Sequence, residues 1–294
     1  MRTSASLLRS SRRKLVKTIQ PRLTPLGTTL YFFMISSPKN SPHSFAYSPC
    51  PNDTFCFHHF SQNKKYTTHL HDIETLNEHA FEARYDITKL SFHAWFQLQD
   101  TYQLLSVGSA FGDQSGGPLL IQKKTTPLST DAKIALPGKY TTAHLLFNLR
   151  YPNHKNRIFI PFHQIIQAVQ TEQADAGVII HESQFLFKKQ NLHCTEDLGK
   201  WWAKKTNLPL PLGCLVAKKT LPPQTITTIE TQLLQSIQLA LKNPKSVWNY
   251  VKKNAQELDD TILHKHIQTY VNTLTLKTDP KGLAAIKTLQ SLAL

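Results

Sequence analysis

From residue 45 onward, short apolar runs alternate with stretches whose apolar residues recur every three or four positions, the pattern of strands alternating with helices. Strand-like runs fall at 45–47, 68–73, 85–90, 104–107, 118–122, 133–136, 158–161, 176–180 and 215–217. Helix-like stretches fall at 54–60, 74–83, 91–98, 141–149, 162–171 and 181–190. Such alternation predicts an α/β fold with a largely parallel sheet. Beyond residue 217 the chain turns helical. Ile226, Ile229, Leu233, Ile237 and Leu241 share one face, and Leu283, Ile286, Leu289 and Ala293 another.

Glycine locates a junction in this series. Five of the ten glycines lie between positions 108 and 138, so backbone freedom is concentrated where a first βα set meets a second. The segment 215–217 is expected to return to the first set.

The first forty-odd residues follow neither period. They are basic, rich in Ser and Thr, and free of acids, and their apolar run at 30–35 is far shorter than the roughly 20 residues of a membrane span. A targeting peptide would suit the basic start, but no small-residue cleavage pattern follows. Met34 is the only other methionine, so two readings stand: translation begins at Met34, or residues 1–43 are a disordered extension.

This tail changes the meaning of the charge. The whole chain carries a formal +15, but residues 1–33 hold seven basic side chains and no acid, leaving +8 for the rest. That remainder is scattered, without a basic helix or interleaved aromatics, so no nucleic-acid partner is expected. A small anionic ligand suits it better. Cys50, Cys56, Cys194 and Cys214 have no metal-ligand or disulfide-framework spacing and read as reduced thiols of a cytoplasmic protein. His58 with His59 and His264 with His266 cannot share helix faces, so no metal is expected from them. P-loop, GxGxxG, HExxH and GxSxG motifs are absent from the sequence.

Candidate chemistry lies at strand ends and helix starts. His181 follows the apolar run 176–180, where an α/β sheet presents side chains to ligands, and an imidazole there is either a general base or a structural histidine. Lys89 and Ser91 end another strand, and Lys89 either pairs with an anion or is solvated surface. Thr141 and Thr142 begin a helix, as caps or as donors to a carboxylate or phosphate. Asn52, Asp53 and Thr54 read as caps of the first helix. Trp201 and Trp202 read as a core-and-rim pair.

The string Tyr47-Ser48-Pro49-Cys50-Pro51-Asn52-Asp53-Thr54-Phe55 resembles the N-terminal signature of the 1,4-dihydroxy-6-naphthoate synthase family of the futalosine route to menaquinone. The resemblance continues through Asp72-Ile73-Glu74-Thr75-Leu76-Asn77, Thr88-Lys89-Leu90-Ser91, Pro137-Gly138 with Thr141-Thr142-Ala143, and Ile179-Ile180-His181-Glu182-Ser183. It closes with Asp197-Leu198-Gly199-Lys200-Trp201-Trp202, Leu208-Pro209-Leu210-Pro211-Leu212-Gly213 and the stretch 266–272, so that it covers about 45–294.

The resemblance implies a two-lobed, type II periplasmic-binding-protein-like α/β fold with mixed or parallel sheets flanked by helices. Residues 44–130 and 218–294 would form the larger, discontinuous lobe and 131–217 the smaller. It implies cleavage of a small molecule, cyclic dehypoxanthine futalosine, to 1,4-dihydroxy-6-naphthoate and dihydroxyacetone, a carbon–carbon lyase reaction without metal or organic cofactor. By position, His181 would be the proton acceptor, and Lys89, Leu90, Ser91, Thr141, Thr142 and Ala143 would hold the substrate. No membrane partner is implied, and the oligomeric state stays open. Three positions depart from the family pattern: Cys56 replaces an aliphatic residue, the loop 112–118 is longer, and Asn207 stands where Gly is common. A non-catalytic solute-binding protein is the alternative, because the same architecture captures ligands for transport.

Overall fold

The computed structural model describes residues 42–112, 116–256 and 259–293; the expectations for residues 1–41 lie outside them. In chain order the strands are β1 (His43–Tyr47), β2 (Tyr66–Leu70), β3 (Ile87–Ser91), β4 (Tyr102–Leu104), β5 (Ala110–Gly112), β6 (Leu119–Gln122), β7 (Ile134–Leu136), β8 (Arg157–Phe159), β9 (Ala176–Ile179), β10 (His193–Asp197) and β11 (Leu210–Lys218). The helices are α1 (Pro51–Ser61), α2 (Ile73–Phe81), α3 (Phe92–Phe96), α4 (Thr142–Arg150), α5 (Ile165–Gln170), α6 (Ser183–Leu186), α7 (Leu198–Thr206), α8 (Pro223–Lys242), α9 (Lys245–Asn254), α10 (Asp260–Tyr270), α11 (Thr273–Leu276) and α12 (Pro280–Ala293).

Two mixed sheets result. The first has the order β2-β1-β3-β11-β4, with β5 also on β11, and the second β10-β6-β9-β7-β8. β1 pairs in parallel with β2 and β3, whereas β11 runs antiparallel to β3, β4 and β5. In the second sheet β7 is parallel to β8 and β9, and β6 is antiparallel to β9 and β10. All five residues of β3 are buried, as befits a central strand, and β1 buries Phe45, Ala46 and Tyr47.

Several predicted elements change. β5 lies inside the glycine-rich segment expected to be loop, because Ala110, Phe111 and Gly112 find partners on the distant Leu210–Gly213 segment. β10 was not predicted, since its mostly exposed HCTED sequence has no apolar alternation. The helix expected over 181–190 shrinks to α6 and a following 3-10 turn, because His181 and Asn191 both have φ +55. Leu241 and Leu283 are exposed, and the buried stripes run instead through Ile229, Leu233, Ile237 and Ala240, and through Gly282, Ala285, Ile286 and Leu289. Asn207 does take the left-handed conformation that a glycine would fill, at φ +55.

The strand partners also move the expected lobe boundaries. β6, inside the 44–130 segment, belongs to the second sheet, and β11, inside 131–217, is an interior strand of the first. The chain therefore crosses between sheets once between β5 and β6 and again between α7 and β11. Trp202 is fully buried with its Nε1 donating to Pro209 O at 3.1 Å, and half-buried Trp201 carries Lys205 over its ring, the core-and-rim pair expected.

Candidate active site

Between the two sheets lies a cavity with about 620 Å³ of empty space counted out to its mouth, within the range of small-molecule sites. One wall comes from α1, β3 and β11 of the first sheet's side; the other comes from the end of β9 and the start of α4.

On the first wall the chain buries an ion pair. Lys89 Nζ lies 3.0 Å from Asp53 Oδ1, and both side chains are 4% exposed. Every oxygen of Asp53 is further engaged: Ser48 Oγ donates to Oδ2 at 2.7 Å and Asn52 Nδ2 to Oδ1 at 2.9 Å. Lys89 donates again to Gly108 O at 2.7 Å. Burying two charges is tolerated only with such complete partnering, and removing one partner strands the other. Next to it Asn77 clamps Ser91, accepting from its backbone N–H at 2.9 Å and donating to its Oγ at 3.1 Å.

Alternation along β3 decides which predicted residues reach the cavity. Lys89 and Ser91 share the face that lines it, and Leu90 points the other way into the core, fully buried. Leu90 therefore contributes its backbone, paired with Cys214, and no side chain to the site. Lys89 reaches the cavity already neutralised, with two of its three donors spent.

On the second wall Thr141 is the N-cap of α4, its Oγ1 accepting from His144 N at 3.2 Å. Thr142 and Ala143 follow in the first turn, where backbone N–H groups lack intrahelical partners. Thr141, Thr142 and Ala143 all line the cavity. Thr142 Oγ1 donates to Leu212 O at 2.7 Å, tying α4 to β11. Glu74 of α2 accepts Tyr140 N at 2.9 Å just before this cap, and burial raises its pKa.

His181 closes the same wall. It follows β9 at the sheet's carboxyl edge with φ +55, a left-handed backbone that costs a non-glycine residue on the order of 1 kcal/mol or more. Its Nδ1 is hydrogen-bonded to Cys50 Sγ at 3.3 Å, and its Nε2, covered by protein, has no partner among the described residues. Phe162 packs edge-on to the ring at 4.9 Å. Burial pushes the imidazole down to about 4, with Asp53 opposing, so the ring is neutral at pH 7.

Sequence reasoning missed a second histidine here. His266, fully buried on α10, stacks 6.2 Å from His181 and approaches Asn52 Oδ1 at 3.0 Å through Nε2. Because Asn52 Nδ2 faces Asp53, its oxygen faces His266, so Nε2 carries the proton. His264 instead lies outside, stacked on Trp248 at 4.1 Å. Asp53 and Asn52, read as caps, belong to the buried network, and the N-cap position of α1 falls to Cys50, whose side chain makes no cap bond. Tyr270 and Gln184, bonded to each other at 3.0 Å, complete the lining. Among the described residues no cluster of three or more His, Cys, Asp or Glu could hold a metal ion.

Comparison with known proteins agrees with this arrangement. Residues 43–294 match the menaquinone biosynthesis family. The 1,4-dihydroxy-6-naphthoate synthase of Thermus thermophilus is 35% identical over 245 residues, covering 82% of this chain and 89% of that protein. The crystal structure of a protein from Archaeoglobus fulgidus superposes with a TM-score of 0.81 at 35% identity, over 86% of this chain and 96% of that one. The periplasmic aliphatic sulphonate binding protein SsuA of Escherichia coli is similar with a TM-score of 0.59 at 12% identity, over 86% and 87% of the two chains, a likeness of fold alone. The fold is thus periplasmic-binding-protein-like, and the chain belongs to the menaquinone biosynthesis family.

Proposed function

We propose that this chain is a carbon–carbon lyase of menaquinone biosynthesis, converting cyclic dehypoxanthine futalosine to 1,4-dihydroxy-6-naphthoate and dihydroxyacetone. The observation that carries the reading is His181: a neutral imidazole at a sheet edge, with an unpartnered Nε2, in a cavity of a family member. Nε2 takes the proton of a substrate hydroxyl. The oxygen's electron pair forms a carbonyl, the adjacent carbon–carbon bond breaks, and its pair is taken up by the ring fragment, which is then protonated. General-base help of this kind is worth about 10² to 10⁴ in rate.

The two sheets would act as two lobes, one built on residues 42–112 and 210–293 and the other on 116–209, with the substrate between them. The substrate's carboxylate would sit at the start of α4, against Thr141, Thr142 and Ala143, whose hydroxyl and amide donors suit it. Lys89 and Ser91 would shape the opposite wall. We place the reaction in the cytoplasm, consistent with four free thiols.

The likeness to a sulphonate-binding protein keeps one rival, a solute-binding protein that captures the same class of anion without turning it over. Incubating the purified chain with cyclic dehypoxanthine futalosine separates them. Naphthoate and dihydroxyacetone in equal amounts support the lyase; tight binding without product supports the rival.

A further inference from the structure

We propose that Cys50 is a positioning residue for the base: its sulfur accepts the Nδ1 proton of His181 and thereby holds the lone pair on Nε2, toward the substrate. The inference rests on the reading of His181 as the base.

Three observations lead to it. Cys50 occupies the N-cap of α1, a position where Ser, Thr, Asp or Asn normally bonds the first helical amides. It makes no such bond. Its backbone is nevertheless pinned, with N–H donating to Ser48 Oγ at 3.3 Å and the carbonyl accepting Thr54 Oγ1 at 3.0 Å. A rule of local structure is broken while the backbone stays fixed, which marks a side chain held for another purpose. The side chain meets His181 Nδ1 at 3.3 Å, joining the first sheet's side of the cavity to the second. Finally, the other ring nitrogen is covered and unpartnered. Of the two neutral tautomers, one buries an orphan N–H donor and the other an orphan acceptor, and buried orphan donors are the rarer.

The same contact argues against Cys50 as a nucleophile. Burial raises its thiol and lowers the imidazole, so the pair is neutral and no thiolate forms. Cys50 does not line the cavity, whereas Ser48, Asn52 and Asp53 around it do. Its substitution is therefore expected to change turnover and leave substrate affinity alone.

The test joins a spectroscopic and a kinetic arm. In protein carrying ¹⁵N-labelled histidine, with His181 assigned by loss of its signals in His181→Asn, the unaltered chain is expected to show Nδ1 protonated and Nε2 bare at pH 7. Nε2 protonated instead overturns the proposal, whether or not the chain turns over the proposed substrate. Should the unaltered chain show no turnover, the lyase reading falls while the tautomer still decides the placement of the proton. In the kinetic arm Cys50→Ala is expected to lower kcat about 10- to 100-fold with KM nearly unchanged, the usual cost of losing a residue that orients a functional imidazole. Cys50→Ser, which keeps an acceptor in place, restores most of it. An alanine variant with normal kcat, or a substrate adduct on Cys50 by mass spectrometry, overturns the proposal.

Discussion

The two walls of the cavity differ in how far their polar groups are already spent. On the first wall Asp53, Lys89, Ser48, Asn52, Asn77 and Ser91 satisfy one another, with an ion pair at its centre. The second wall carries a helix start with free amides, held by a cap, and an imidazole with one bare nitrogen. Charge sits where it is neutralised, and the open valences sit where no charge is. A saturated wall resists deformation and recognises shape, whereas an unsaturated one has bonds left to offer a ligand.

Four measurements can break that contrast. The largest effect is expected from His181→Asn, which should leave the fold intact and lower kcat by about 10² to 10⁴, the worth of a general base; near-normal naphthoate production would remove His181 from the reaction. Lys89→Met should act chiefly on stability, costing about 3–5 kcal/mol in denaturant unfolding because Asp53 is left charged and buried. A loss of substrate binding without loss of stability would instead make Lys89 a direct ligand contact.

The third concerns pH. Burial holds buried His144 at about 4, against an ordinary 6.5, and shifts His93 and His266 in the same direction. The folded chain then refuses protons that the unfolded chain accepts, so stability is full above about pH 6.5 and falls as pH drops toward 4. His144 alone should contribute a loss of about 2 kcal/mol by pH 5, read as a falling Tm. Flat stability over that window would mean these rings are solvated. The smallest effect belongs to Thr141→Ala, expected to cost about 1 kcal/mol as a lost helix cap, together with weaker substrate binding. An unchanged KM would take the start of α4 out of the site.

How much of this is legible in sequence follows from the range of each interaction. His181, Thr141 and Thr142 sit at the ends of elements whose period is local, and those ends can be read directly. Leu90 was grouped with its neighbours although strand alternation sends it to the opposite face, a distinction that period 2 alone supplies. Asp53 looked like a cap because the turn Pro51-Asn52-Asp53 is a local signal, while its partner Lys89 lies 36 positions onward and leaves no trace in spacing. His266 had the same disadvantage, its contacts with Asn52 and His181 being set by tertiary packing. β5 and β10 were hidden for the converse reason, since glycine and polar residues form strands only where a partner strand is supplied.

The two crossings between sheets also prescribe an order of assembly. Strands β6 to β10 come from one continuous stretch, 119–197, so the second sheet can pair completely as soon as that stretch has left the ribosome. The first sheet cannot. Its interior strand β11 joins β3 across more than a hundred residues, and until it arrives β3, which holds Lys89, has an open edge. Closing so long a loop is slow, which makes the interval before residue 218 is synthesised the period when the nascent protein is most exposed to misassociation and to chaperones.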